Sequence, residues 1–328
     1  MRRSICLLLS LFAGPALTGC GSNGQSPTSP SYDWTTAPSG VSGTLTFTQS
    51  PIDPAVIEYI TPLGNLNPPG HTLPTDHIYF YHHLFHRSAP QFDVVAPAGG
   101  VVATVMRNGD DQIYIWSSPK HMYYLGHVML EGTFAVGQQI TAGQRLGTTS
   151  AAAFGLDLGV INKDITVPFI SPARYSGNSL NVDAPLKYFT EPLKSQLYAL
   201  VEGTGVNRDG QINFDQPGRL AGNWFHESLP VSETFQPTGW TRHLAFVRDN
   251  RDPSLIRISV GGIFIKAGVY AIGAADPDPA LVTPESGSVT FQIASTAFGG
   301  PAGPLTVTML GEKRISLAFD GNIHFYVR

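Results

Sequence analysis

Glycine and proline interrupt this 328-residue chain so often that long helices are excluded over most of its length. The sequence holds 35 glycines and 26 prolines, residues that end helices and mark turns. Between them lie short apolar runs, some of which alternate with polar residues, as in residues 112–116. This pattern is typical of short β-strands joined by turns. We therefore expect a mostly β chain, long enough for about two domains at roughly 150 residues each.

The charge of the chain excludes one class of partner. Charged residues make up only 13% of the sequence, and the net charge is −4. Such a chain has no basic surface for generic nucleic-acid binding. It also lacks the glycine-rich phosphate-binding motifs and the G-x-S-x-G motif of serine hydrolases. We expect neither a nucleic acid nor a nucleotide as a partner.

Residues 1–20 have the pattern of a lipoprotein signal peptide. Two arginines precede an apolar run at residues 5–12, which is too short to span a bilayer. The run leads to LTGC at residues 17–20, which resembles the lipobox of bacterial lipoproteins. The resemblance implies that Cys20 is lipidated and that the protein is anchored in the bacterial cell envelope. The resemblance also implies that Gly21, rather than Asp, after the cysteine favours the outer membrane, where the protein faces the periplasm or the surface. The alternative is that residues 1–20 are an ordinary secretory signal.

The remaining chain divides into a tether and two domains. Residues 21–40 are rich in Ser, Thr, Pro and Gly, as in flexible linkers. Residues 41–201 contain short strands followed by a helix predicted over residues 184–201, where leucines recur at helical spacing. Residues 202–328 read as a second β domain, a sandwich or a barrel of unknown role.

Histidines cluster in the first domain: seven of the ten lie between residues 71 and 127. Imidazole is a common ligand of zinc, and a catalytic zinc site has three protein ligands and one open position. His82, His83 and His86 fall in an insertion that we expect to be a solvated loop. His121 follows Lys120 in a predicted turn, and we expect it at the surface. The candidates for a site are His71, His77 and His127.

Motifs in this region occur in the order found in one peptidase family. They are GHTLPTDHIY at residues 70–79, VVAPAGGVV at 94–102, YLGH at 124–127, the paired turns VGQ and AGQRLG within 136–147, and LDLGV at 156–160. Residues 58–165 thus resemble the lysostaphin-like peptidoglycan endopeptidases. The resemblance implies a β-sheet groove, a zinc cofactor and peptidoglycan or a cell-wall peptide as partner.

The ligand motifs of the family are altered in this chain. The family has a His and an Asp four residues apart and a later H-x-H, whereas residue 155 is Gly and residue 157 is Asp here. The resemblance then implies His71, His77 and Asp157 as the zinc ligands. Asp76 is an alternative ligand, or a carboxylate that orients a ligand imidazole. His127 corresponds to the catalytic imidazole.

Three functions follow from these features. The first is a zinc-dependent peptidase in the cell envelope that hydrolyses peptidoglycan or a peptide. The second is a catalytically inactive groove module that binds cell-wall peptide or a partner hydrolase. The third, compatible with either, is ligand binding by the C-terminal domain, because GNW at residues 222–224 resembles the start of lipocalin-like barrels.

Overall fold

Two β-sheets organise the part of the chain that the structure describes. The computed structural model describes residues 36–82, 91–153, 155–297 and 301–328. The predicted signal peptide with Cys20, most of the tether, and His83 and His86 lie outside the described residues. Both sheets belong to one compact unit.

The first sheet has ten strands, and its neighbouring strands run antiparallel. Its main path is β1-β2-β9-β6-β5-β4-β7, with β10 on β9 and β8 pairing with both β3 and β6. The strands are β1 (Tyr59–Thr61), β2 (Ile78–Tyr81), β3 (Asp93–Val95), β4 (Gly100–Met106), β5 (Asp111–Trp116), β6 (His121–Leu130), β7 (Gln139–Ile140), β8 (Arg145–Thr149), β9 (Gly155–Asn162) and β10 (Val182–Asp183).

Strand β9 runs between β2 and β6, and every residue of it except Asn162 is buried. Leu156, Leu158 and Val160 belong to the hydrophobic core. Because successive side chains of a strand point to opposite faces, Asp157 faces away from that core. A carboxylate on a buried strand needs hydrogen-bond or charge partners, so we expect polar side chains from the neighbouring strands beside Asp157.

The helix predicted over residues 184–201 is wrong in extent. The structure has a 3-10 turn at Pro185–Tyr188 and a separate helix at Leu193–Ala199. Pro192 stands between them, and proline has no N–H with which to continue a helix. The α-helices found among the described residues are short: α1 (Gly177–Leu180) and α2 (Leu193–Ala199). Further 3-10 turns span Pro54–Val56, Pro172–Arg174, Val231–Glu233, Trp240–Arg242 and Pro284–Ser286.

The second sheet closes into a barrel of eight antiparallel strands in chain order, with the last strand paired to the first. Its strands are β11 (Gly222–His226), β12 (His243–Arg248), β13 (Ile256–Val260), β14 (Gly268–Ala271), β15 (Ser288–Ser295), β16 (Pro301–Gly311), β17 (Arg314–Phe319) and β18 (Asn322–Val327). The mostly β prediction, with a sheet domain followed by a helix and a second β domain, is confirmed. Of the two forms expected for the second domain, the structure has the barrel.

Large side chains fill the barrel. Trp224, Phe246, Phe291 and Leu305 are fully buried in one cluster there, as expected for a barrel of this strand number. Ligand binding by this domain stays a prediction.

Arg328, the residue after β18, covers the ring of Trp224. Its guanidinium lies 3.8 Å from the centroid of the indole ring, and the indole N–H donates to the carbonyl of Leu220 at 2.8 Å. The same guanidinium donates to five backbone carbonyl oxygens, those of Gln216, Arg219, Leu220, Ala221 and Asn223.

The outer face of the barrel is part of the core of the first sheet. Phe225, Ala245 and Val247 of β11 and β12 are buried in the same cluster as the first sheet's apolar side chains. Asn223 also donates from its side-chain amide to the hydroxyl of Tyr175 at 2.9 Å. The domain limits predicted at residues 201 and 202 stay a prediction, but the contact between the two sheets is apolar and continuous.

Among the described residues, no helix has the length and apolar character needed to cross a bilayer.

Candidate functional site

Three predicted site residues meet where strands β2, β9 and β6 lie side by side. His77 immediately precedes β2, and Asp157 lies in β9. The Cα partners of Asp157 are Tyr79 in β2 and Gly126 in β6, and His127 follows Gly126. The sheet register therefore brings together residues that are far apart in the chain.

His127 reaches this site through a β-bulge. Tyr123, Leu125 and Val128 belong to the hydrophobic core, so simple alternation would place residue 127 in the core with the first two. The register of β5 against β6 shifts here, and residue 127 has no partner in β5. The φ angle of His127 is 59°, in the left-handed region that few non-glycine residues adopt. The bulge turns the imidazole toward Asp157, as bulges near functional sites often do.

The Asp157 carboxylate lies between two imidazoles. Its Oδ2 atom is 3.5 Å from Nε2 of His77 and 3.5 Å from Nε2 of His127, and the residue is 4% exposed. Its Oδ1 atom is buried and has no hydrogen-bond partner among the described residues. A Cβ at Gly126 would lie 3.0 Å from Oδ2, so glycine at this position leaves room for the carboxylate.

Asp76 holds the His77 imidazole from the other side. Its Oδ1 atom lies 3.1 Å from Nδ1 of His77, and Nε2 of His77 lies 2.9 Å from the Tyr79 hydroxyl. Tyr124 donates to Oδ1 of Asp76 at 2.9 Å, and Ser179 donates to Oδ2 at 2.6 Å. Burial raises the pKa of Asp76, but the hydrogen bonds and charge of His77 and the two hydroxyl donors outweigh it and lower the pKa to about 2.

His127 also faces a second carboxylate. Its Nδ1 atom lies 2.7 Å from Oδ2 of Asp110. Burial lowers the pKa of His127, but the hydrogen bond to Asp110 and the charge of Asp157 raise it overall, to about 9. The two carboxylates thus favour the protonated form of the imidazole.

The contacts described above form one network of Asp76, His77, Tyr79, Asp110, Tyr124, His127, Asp157 and Ser179. His71 lies beside this network rather than within it. Its ring centroid is 5.4 Å from that of His77, and its backbone pairs with Asn67 in a turn. Burial and the neighbouring charge of His77 lower the pKa of His71 to about 4. His82 is buried, so the solvated loop expected there does not include it.

A zinc ion needs several nitrogen, sulfur or carboxylate ligands directed at one point. Within the described ranges, no group of three or more His, Cys, Asp or Glu side chains is arranged to hold a metal. Both nitrogens of His127 face carboxylates, and those of His77 face Asp76 on one side and Tyr79 with Asp157 on the other. Contacts with Asp76, Tyr79 and Asp110 thus already occupy three of these four nitrogens, and the fourth, Nε2 of His127, lies 3.5 Å from Oδ2 of Asp157. As arranged, these residues do not fit zinc, and the ligand set of His71, His77 and Asp157 stays a prediction.

A cavity of about 170 Å³ opens beside the network. It lies between the loop that carries the first histidines and the segment that joins β11 to β12. Its walls include His71, His77, Tyr175, Phe235, Trp240 and His243.

Four side chains of the network were not predicted from the sequence: Tyr79, Asp110, Tyr124 and Ser179. Tyr124 lies within the YLGH motif, so that motif contained the signal. Asp110 and Ser179 carry no local signal, because only the fold brings them to the site; Ser179 is 103 residues from the carboxylate it contacts.

This chain is similar to known proteins in structure rather than in sequence. No family model matches this chain, and no curated protein matches it. Solved structures similar to part of it include a zinc-containing peptidase from Vibrio cholerae, at 16% identity and a TM-score of 0.30, covering 36% of this chain and 37% of that one. A putative glycyl-glycine endopeptidase from Ruminococcus gnavus has 14% identity and a TM-score of 0.25, covering 38% of this chain and 47% of that one. A structure of the SpoIIQ–SpoIIIAH pore-forming complex has 9% identity and a TM-score of 0.33, covering 47% of this chain and 96% of that one. This chain therefore spans little more than a third of the Vibrio peptidase, and each similarity concerns less than half of this chain.

Proposed function

We propose that the first sheet carries a peptide-binding module that holds cell-wall peptide without a metal ion. The observation that supports this proposal is the placement of Asp157 between the Nε2 atoms of His77 and His127, 3.5 Å from each. The positive charge of His127 compensates the buried carboxylate, which is the role that a bound cation would otherwise have. The choice of cell-wall peptide rests on the motifs shared with the lysostaphin-like endopeptidases.

One observation favours a second function, the zinc-dependent peptide hydrolase. The Oδ1 atom of Asp157 is buried without a partner among the described residues, and such an atom is free to bind an ion. The two proposals differ in the amount of zinc that the purified protein retains and in whether it hydrolyses peptide.

The test is binding of a cell-wall peptide in the presence and absence of a chelator, combined with elemental analysis. We expect less than about 0.1 zinc per chain and an unchanged Kd after chelation. Asp157→Asn should weaken peptide binding, because the two imidazoles lose the charge that fixes them. His226→Ala is the matched control: this histidine lies in the barrel, where it contacts Ser228 at 2.8 Å, and its removal should leave peptide binding unchanged.

The opposite result is equally specific. One zinc per chain, lost in both His71→Ala and Asp157→Ala, together with peptide hydrolysis, would overturn the metal-free proposal and establish the hydrolase.

We also propose that Cys20 carries a lipid that anchors the protein in the bacterial envelope. The support is the LTGC motif after an apolar run too short to span a bilayer. Cys20→Ser should move the protein from the membrane fraction to the soluble fraction. Cys6→Ser should not, because Cys6 lies in the predicted signal peptide. A Cys20→Ser protein that stays in the membrane fraction would refute the proposed anchor.

A further inference from the structure

The turn between β4 and β5 carries a reactive pair of residues beside the network. Asn108 and Gly109 lie in this turn, and both are exposed. Among the described residues, Asn108 is the only asparagine that precedes a glycine. Two residues further on, Oδ2 of Asp110 lies 2.7 Å from Nδ1 of His127. A change in the backbone at residue 108 would therefore act close to a carboxylate of the network.

The side chain of Asn108 folds back toward its own backbone. Its Oδ1 atom accepts a hydrogen bond from the backbone N–H of Asp110 at 3.1 Å, which makes an Asx turn. A donor at this oxygen stabilises the negative charge that develops when a nucleophile attacks the carbonyl carbon. The turn thus activates the side-chain carboxamide of Asn108 beside the peptide bond to the next residue.

Gly109 offers a nucleophile that no side chain shields. Its φ angle is 87°, in the left-handed region that favours glycine. Apart from its neighbours in the chain, no atom of the described residues lies within 4 Å of the place where a Cβ would stand. The rest of the described chain therefore does not pack over this residue, and its backbone nitrogen has room to approach Cγ of Asn108.

We propose that Asn108 is a site of spontaneous deamidation, which withdraws Asp110 from His127. The backbone nitrogen of Gly109 attacks Cγ of Asn108. The new N–Cγ bond replaces the bond from Cγ to Nδ2, and ammonia leaves with the proton of the attacking nitrogen. Water then adds to a carbonyl carbon of the cyclic imide and opens it. Opening at the backbone carbonyl gives isoaspartate, whose main chain runs through Cγ and is longer by one carbon atom.

Isoaspartate at residue 108 disturbs the site in two ways. The added carbon atom lengthens the turn and displaces Asp110, whose carboxylate contacts His127 at 2.7 Å before the change. The new carboxylate also lies near Asp111, because the N–H of residue 108 donates to Oδ1 of Asp111 at 3.2 Å, and like charges repel. Peptide binding should therefore decline as the protein ages. This consequence rests on the proposed function, whereas the deamidation itself does not.

Two asparagines serve as matched controls within the same chain. Oδ1 of Asn162 and Oδ1 of Asn207 accept from the N–H two residues further on at 3.0 and 3.2 Å, as Asn108 does, but lysine and arginine follow them. The full chain is incubated at about 37 °C, at about pH 7 and about pH 9, then digested and analysed by mass spectrometry. Asn108 should convert at least about tenfold faster than either control, mainly to isoaspartate, because glycine hinders the attack least. Conversion should be faster at the higher pH, because the attacking nitrogen must lose its proton.

Asn108→Ser removes the carboxamide but keeps a hydroxyl that can accept from the N–H of Asp110. After the same incubation, the wild-type chain should bind cell-wall peptide at least about threefold more weakly than before, whereas Asn108→Ser should keep its affinity. The nitrogen chemical shifts of the His127 ring should change with conversion, because Nδ1 loses the carboxylate of Asp110. This NMR measurement does not depend on peptide binding.

Each part of the inference has a result that would overturn it. Conversion of Asn108 no faster than that of Asn162 and Asn207 would overturn the modification site. Complete conversion with unchanged His127 shifts would overturn the withdrawal of Asp110. A fresh chain that binds no cell-wall peptide would refute the proposed function, while the digest and the His127 shifts still decide this inference.

Discussion

Arg328→Met should destabilise the barrel strongly, although Arg328 lies far from the network around Asp157 in the sequence. The guanidinium of Arg328 donates to five backbone carbonyls and covers the Trp224 ring at 3.8 Å. A hydrogen bond to a charged group contributes about 1.5–3 kcal/mol, and a desolvated cation–π contact contributes up to about 2 kcal/mol. These contributions do not add fully, since water can reach some carbonyls in the variant, so we expect a loss of about 4 kcal/mol.

Urea unfolding, followed by tryptophan fluorescence, measures this loss. With a slope of about 3 kcal/mol per molar urea, the midpoint should fall by about 1.3 M. Arg314→Met is the matched control. Arg314 also lies over an aromatic ring, that of Phe325 at 4.6 Å, but its side chain is 49% exposed and pairs with Glu227 at the surface. Such a pair contributes at most about 1 kcal/mol. Equal midpoints for the two variants would refute the conclusion that Arg328 stabilises the barrel through these carbonyls and Trp224.

Further predictions concern pH and packing. The pKa of His243 is about 4 in the folded protein against an ordinary 6.5, so its contribution to stability is complete above about pH 6.5 and is lost as the pH falls toward 4. His243→Phe should therefore flatten the decline of the urea midpoint between pH 7 and 5; an unchanged decline would assign it to other groups. Gly159→Ala should lower stability by more than about 2 kcal/mol, because its Cβ would lie 2.1 Å from the buried Tyr124 ring. Gly268→Ala is the control in thermal unfolding, because the nearest atom to its Cβ, in the Tyr270 ring, would be 3.6 Å away. Equal effects of the two substitutions would contradict the clash at Gly159.

The longer strands could be predicted because their side chains alternate. Residues 112–116 were predicted as a strand, and β5 spans Asp111–Trp116. Two-residue strands such as β7 and β10 were missed, since two residues cannot show a period. The helix over residues 184–201 is shorter than the spacing of its leucines predicts, because Pro192 lies within that range and cannot continue a helix.

Three of the predicted site residues lie together in the structure, but their arrangement could not be predicted from the sequence. His77, Asp157 and His127 were selected from motifs, and the register of the sheet brings them together. The bulge could not be foreseen, because alternation places residue 127 on the core face. Nor could the partners Asp110 and Ser179, whose contacts depend on tertiary structure alone. The sequence thus indicates which residue types form the site. The partners of each imidazole depend on distances that only the tertiary structure sets.

The continuous core between the two sheets has a consequence for how fast a ligand can enter. Separating the sheets would expose Phe225, Ala245 and Val247, which are 1%, 0% and 3% exposed in the closed arrangement. A rigid-body opening on the microsecond-to-millisecond timescale would therefore carry a large hydrophobic penalty. Rotation of the exposed Phe235 ring carries no such penalty, and exposed side chains change rotamer within picoseconds to nanoseconds. Entry into the cavity is then controlled by a side chain at its rim, and the association rate should depend on ligand size far more than on any motion of one domain against the other.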